Sequence, residues 1–182
     1  MSKNRSIRII VFLGLLTALS IVLTRLLSVT LTGYLRVSLG NLPIILAGVW
    51  FGPFAGAVVG AVADIVGAIT LSPFGWSPWI TPGAVLTGLI PGLIAWYVFK
   101  GKLSLTHFFV ITGVTDIVAS ICCTTICMHY AFAFPIEVMI LPRAGLYIAL
   151  AAVEAPIAYV LYKNAYLRSL QQNLVSLRKA KK

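Results

Sequence analysis

The chain has 182 residues, of which 60% are hydrophobic and only 10% charged, with a mean hydropathy of +1.01. A water-soluble domain carries about a quarter charged residues, so a fold surrounded only by water is excluded. The net charge of +10 does not call for nucleic acid, because the basic residues gather where a membrane surface explains them: Lys3, Arg5 and Arg8, then Lys100 and Lys102, then Lys163, Arg168, Arg178, Lys179, Lys181 and Lys182.

The apolar residues fall into blocks of spanning length broken by Pro, Gly and basic residues, as bilayer helices do. The alternation of a β-barrel strand over about ten residues is missing. The expected fold class is an all-α polytopic membrane protein with six transmembrane helices, a short second helix and an irregular outer lead-in. The predicted spans are 7–27, 42–52, 54–71, 81–99, 105–130 and 142–162, with a basic amphipathic tail over 163–182, all in a single membrane domain. A cleavable signal peptide is not expected. The first apolar segment runs too long, and Arg25 follows where a small-residue cleavage site would stand.

After the first helix comes a non-helical stretch over 28–41. Asn41 is placed as the cap of the second helix, with Pro43 in its first turn and Gly52-Pro53 as its stop. Its ten or so residues reach roughly 15 Å, about half of the hydrocarbon core. Charge decides whether it crosses. Counting it as a crossing puts eleven of the fourteen Lys and Arg on one side, with both termini and the 100–102 connection in the cytoplasm. Irregular backbone at membrane depth needs protein or a water-lined cavity around it, and transporter binding sites are often built that way.

On the third helix, Asp64 shares a stripe with Gly56 and Gly60, small residues that let helices approach closely. The loop 72–80 carries Trp76 and Trp79, either interfacial anchors or a lid that covers a flat ring. The fourth helix opens with Thr81 as cap and Pro82 at its first position. On the fifth, Thr112, Asp116 and Ser120 share a face, and Cys122, Cys123 and Cys127 lie in apolar surroundings, where cysteines pack as small hydrophobes. On the sixth, Glu154 lies roughly 16 Å from Arg143 along one face, with Tyr147 between them.

Asp64, Asp116 and Glu154 each cost about 2.5–3.5 kcal/mol or more to place at the centre of a span. They should face the bundle interior, as structural pairs or as ligand groups. Arg36 and Arg143 stand outside the basic clusters, and guanidinium groups suit carboxylates. Arg25 can equally meet a lipid headgroup. The start of the fourth helix adds a positive dipole end on the same outer side. The candidate substrate-binding set is Arg36, Asp64, Trp76, Trp79, Asp116, Arg143 and Glu154. No Ser-His-Asp set, HExxH, Walker A or GxGxxG motif occurs, so no enzyme, cofactor or metal is expected.

The run Arg36-Val-Ser-Leu-Gly-Asn-Leu-Pro-Ile-Ile-Leu-Ala-Gly-Val-Trp-Phe-Gly-Pro53, followed by 57–67 with its Ala63-Asp64, resembles the folate-type substrate-binding S components of energy-coupling factor (ECF) vitamin transporters. The segment 81–92 is similar to them too. The resemblance implies a high-affinity subunit that captures a vitamin from outside. It also implies partners: a transmembrane coupling subunit and two cytoplasmic ATPase subunits that power release inside. Gly14 and Ala18 match the small-residue pair by which the family's first helix docks on the coupling subunit, with Gly in place of a more usual Ala. One departure bears on the ligand. Folate-type members carry a basic residue soon after the arginine of the sixth helix, whereas Arg143 is followed here by Ala-Gly-Leu-Tyr-Ile-Ala. Pantothenate therefore stands beside folate as an alternative ligand. From a different class, a stand-alone ion-coupled carrier would use Asp64, Asp116 and Glu154 as a relay.

Overall fold

The computed structural model describes residues 3–32, 35–71, 76–100, 103–133 and 135–164. Lys102 and the tail beyond 164 lie outside the described residues. Helix α1 spans Lys3–Ile21 and runs on as a π-helical turn over Val22–Leu26. Strands β1 (Val29–Thr32) and β2 (Leu35–Val37) pair antiparallel, with Val29 opposite Val37 and Thr30 opposite Arg36. The non-helical lead-in is thus a small hairpin, which pairs its own backbone groups. Then follow α2 (Asn41–Phe51), α3 (Pro53–Leu71) and α4 (Thr81–Leu93, continued as a π-helical Ile94–Val98). Helix α5 comprises Leu105–Thr115, a π-helical Asp116–Cys123 and Thr124–Phe132, and α6 is Ile136–Lys163. Of these six helices, five are long and apolar enough to cross a membrane.

Several boundaries differ from the sequence reading. The last helix opens at Ile136, not at 142, and Pro142 lies inside it, as do Pro156 in the same helix and Pro91 in α4. Interior prolines survive in a bundle because neighbouring helices and local adjustments re-satisfy the freed carbonyls. Helix α1 begins at Lys3, so its basic first turns continue the apolar span. Asn41 is the first residue of α2 rather than its cap. Gly40 occupies the cap position without a side-chain bond. Packing explains the glycine: a Cβ there would overlap Thr24 Oγ1. Ser20 Oγ also donates to the Gly40 carbonyl at 2.8 Å.

Helix α2 is buried from Leu42 to Phe51, on every side, as an all-round apolar helix should be. It runs antiparallel to α1. Gly40 meets Ser20 and Thr24 near one end, and Trp50 and Phe51 meet Phe12 near the other, with ring centroids 5.9 and 5.6 Å apart. Eleven residues span about 16 Å, and that suffices because both ends of α2 finish inside protein. Gly52, at φ +98°, reverses the chain into α3.

Helices α3 and α4 pack at backbone contact. A Cβ on Gly56 would collide with the Gly88 carbonyl, and one on Gly60 with that of Ala84. One turn further on, Asp64 meets Thr81 through a hydrogen bond. The antiparallel register of small residues therefore carries Asp64 to the first turn of α4. At the opposite end of the bundle, Phe99 stacks on His107 at 4.1 Å and Phe108 packs against Tyr159 and Tyr162. Those contacts gather the end of α4, the start of α5 and the end of α6, so Lys100 and Lys163 share one end with the start of α1.

Candidate functional site

At the other end, a cavity is lined by residues from all six helices. Its wall includes Arg25 at the end of α1, Asn41 at the start of α2 and Asp64 late in α3. Opposite them stand the first turns of α4, Ser120 and Thr124 of α5, and Tyr147 of α6. Most of these residues lie toward the end of the bundle opposite Lys100 and Lys163.

Asp64 is the centre of its polar network. Its Oδ2 accepts from Thr81 Oγ1 at 2.9 Å, and Arg25 Nη2 lies 3.7 Å from Oδ1. Thr81 Oγ1 in turn accepts from Trp76 Nε1 at 3.0 Å. A ring nitrogen from the outer loop, a hydroxyl, a carboxylate and a guanidinium thus form one chain across the cavity rim. Thr81 was expected to cap α4, but it is the first helical residue, Ile80 holds the cap position, and no side chain caps the helix. The hydroxyl is engaged by Asp64 instead. A carboxylate largely withdrawn from water gains more from a donor than a solvated backbone amide does.

The other sequence candidates scatter. Arg36 lies in β2 opposite Thr30, and its side chain is outside the described residues. Trp76 reaches the rim through Thr81, while Trp79 is 61% exposed and is not on the cavity wall. Arg143 is buried behind the wall. Its Nη2 donates to the Ser120 carbonyl at 2.9 Å, its Nη1 contacts Met128 Sδ at 3.1 Å, and its Cζ lies 5.5 Å from the Tyr147 ring centre. Asp116 and Glu154 are also interior, at 2% and 0% exposure. The structure therefore brings Asp64 and Trp76 together and leaves Asp116, Arg143 and Glu154 deeper in the bundle. The expected helix face of Thr112, Asp116 and Ser120 is buried throughout.

Arg25, Ser20, Thr24, Asn41 and Thr87 line the cavity without having been singled out for it. A signal existed on α1, where Thr17, Ser20 and Thr24 recur at helical spacing in an otherwise apolar run, and Ser20 is 1% exposed. Among the described residues no cluster of three or more His, Cys, Asp or Glu could hold a metal. Cys123 and Cys127 approach to 3.9 Å between sulfurs, and both are free thiols. Gly14 and Ala18 lie exposed on α1, and a Cβ at Gly14 would meet nothing within 4 Å.

Comparison with known proteins places this architecture. The chain is similar to the folate transporter FolT of Clostridium novyi, at 22% identity over 87% of this chain and 90% of the relative. It is also similar to the FolT of Leuconostoc mesenteroides, at 27% identity over 91% and 90%. Its fold matches a crystal structure of FolT bound with folic acid, with a TM-score of 0.74 and 23% identity over 86% of this chain and 93% of that one. An S component of a bacterial ECF transporter matches with a TM-score of 0.57 and 22% identity, over 93% and 97%. The family model described as "ECF transporter, substrate-specific component" matches residues 8–166. Six helices around a polar cavity, one of them short and central, are thus the work of a binding subunit rather than an enzyme, and the chain belongs to the substrate-specific components of ECF transporters.

Proposed function

We propose that this chain captures folate, or a closely related pterin carboxylate, at the cavity lined by Arg25 and by Asp64, whose carboxylate Thr81 engages. The observation that carries the reading is the juxtaposition of a carboxylate and a guanidinium at the mouth of a cavity to which every helix contributes. A flat heteroaromatic ring presents N–H donors that Asp64 can accept, and Trp76 stands next to it to cover the ring. Arginines suit the carboxylate end of the same ligand. Both named relatives are folate transporters, and one similar fold holds folic acid, which supports folate over pantothenate.

The remaining expected residues take supporting places in this reading. Arg36 and Trp79 belong to the outer segments that a ligand passes. Arg143, Asp116 and Glu154 shape the floor through Ser120 and Tyr147. Release into the cell is driven by a transmembrane coupling subunit that docks on Gly14 and Ala18 of α1, powered by two cytoplasmic ATPases. The basic end of the bundle, with Arg8, Lys100 and Lys163, faces the cytoplasm, as the positive-inside rule favours.

Calorimetry on the purified chain, with folate and pantothenate titrated separately, tests the ligand. Tight folate binding with no pantothenate binding is expected, and the reverse would overturn the assignment. Native mass spectrometry after mild detergent extraction tests the assembly: a coupling subunit and two ATPases should be retained.

A further inference from the structure

Three buried glycines of α3 meet different neighbours. A Cβ on Gly56 or Gly60 would collide with the backbone of α4, so those two set how closely the helices approach. At Gly67 the nearest atoms belong instead to side chains of α1. A Cβ there would lie 3.3 Å from Arg25 Nε, 3.6 Å from Arg25 Cγ and 3.6 Å from Ile21 Cγ1. The missing side chain of Gly67 is thus filled by the stem of Arg25.

Gly67 follows Asp64 by three positions, and residues so spaced are neighbours on a helix surface. The Arg25 stem crosses α3 at Gly67, and its Nη2 ends 3.7 Å from Asp64 Oδ1, with the two side chains only 12% and 14% exposed. Arg25 belongs to the π-helical turn Val22–Leu26 that closes α1, and such turns are frequent at functional sites. Thr24 of that turn packs directly on Gly40. This contact fixes the backbone and leaves only the direction of the Arg25 side chain to be decided.

An arginine at the end of a spanning helix has an alternative course. Its long stem lets the guanidinium snorkel to headgroups and water, where the charge is well solvated. The inward course needs room along α3, and Gly67 supplies that room. A branched side chain at position 67 would occupy the space of the Arg25 stem. The displaced atoms belong to a flexible side chain and not to backbone, so Arg25 can swing outward while the bundle stays folded.

We propose that Gly67 is a positioning residue for ligand capture: it seats Arg25 against α3 and so keeps the guanidinium beside Asp64, on the cavity wall. Gly67 itself touches no ligand and acts through Arg25. Its part in capture rests on the folate reading above, whereas the seating of Arg25 does not.

Two measurements on the full chain in mild detergent test this. The first uses no vitamin: an arginine-selective dicarbonyl reagent is applied and the modified residues are mapped by peptide mass spectrometry. In the wild type Arg25 should react far more slowly than Arg8, which is exposed. In Gly67→Val the two should react at comparable rates. The second is calorimetry with folate. Arg25→Ala and Gly67→Val should each weaken binding by about tenfold or more, the double variant should be no weaker than either, and Gly67→Ala should lose less. Losses that multiply in the double variant would show that Gly67 acts apart from Arg25 and would overturn the proposal. So would an Arg25 that stays protected in Gly67→Val, or one that becomes reactive with no loss of folate affinity. If Gly67→Val does not fold, Gly67→Ala decides in the same cycle. A wild type that binds no folate would overturn the ligand reading, and the reactivity of Arg25 would still decide whether Gly67 seats it.

Discussion

Thr81 Oγ1 donates to Asp64 Oδ2 at 2.9 Å, one turn beyond the point where Gly60 meets the Ala84 backbone. Close packing of α3 on α4 thus sets the reach of the carboxylate. A net hydrogen bond of this kind is worth about 0.5–1.5 kcal/mol, while removing one partner of a desolvated charged pair costs about 2–5 kcal/mol. Asp64→Asn should therefore weaken folate binding at least about tenfold, and Thr81→Val by less, about threefold to tenfold. Calorimetry on the folded variants measures both. Wild-type affinity in each would move the site away from Asp64.

The same register makes a stability prediction. A Cβ on Gly88 would collide with the Gly56 backbone, whereas one on Gly113 of α5 meets nothing within 4 Å. Overpacking against backbone costs about 1–3 kcal/mol, and Gly to Ala in an open helical position gains up to about 1 kcal/mol. Gly88→Ala should lower the unfolding midpoint in detergent, and Gly113→Ala should hold or raise it. Equal midpoints for the two variants would show that α3 and α4 can separate without cost.

The contrast between these glycines marks how far the sequence could be read. Gly56, Gly60 and Asp64 recur at helical spacing, so their inward stripe was legible, and so was the short second helix once charge was counted. Spacing does not say which helix the stripe meets, and so Thr81 was read as a cap when its hydroxyl belongs to Asp64. Arg25 passed as a headgroup contact because its partner lies thirty-nine positions away in sequence, at Asp64. Pro142 reads as a helix start by the rule that holds for helices in water, although it lies inside α6. Asp116 and Glu154 were recognised as interior, but that they lie behind the cavity wall follows only from how α5 packs on α6.

The shared end of Lys100 and Lys163 predicts an orientation in the membrane. The positive-inside rule favours that end in the cytoplasm, with Trp79 on the outer side. On a background lacking the native cysteines, Trp79→Cys should react with an impermeant maleimide in intact cells. Gly101→Cys should react only after the membrane is permeabilised. Labelling of position 101 from outside would invert the model.

Helix α1 makes the last prediction. Gly14 and Ala18 are one turn apart on an exposed face beside Ile10, Val11 and Leu15, and a Cβ on Gly14 would touch nothing in this chain. Small residues on an apolar face let a second helix approach closely. A bulky side chain there disturbs no internal packing, and surface substitutions of that sort change stability by at most about 0.5 kcal/mol. Gly14→Leu and Ala18→Leu should therefore leave folate affinity of the isolated chain within about twofold of wild type. Uptake by cells, which in the proposed reading needs the coupling subunit, should fall to background. Calorimetry and uptake of labelled folate are run on the same variants. If affinity falls with uptake, the two positions serve the internal packing of the bundle. If neither changes, the coupling subunit docks on another face.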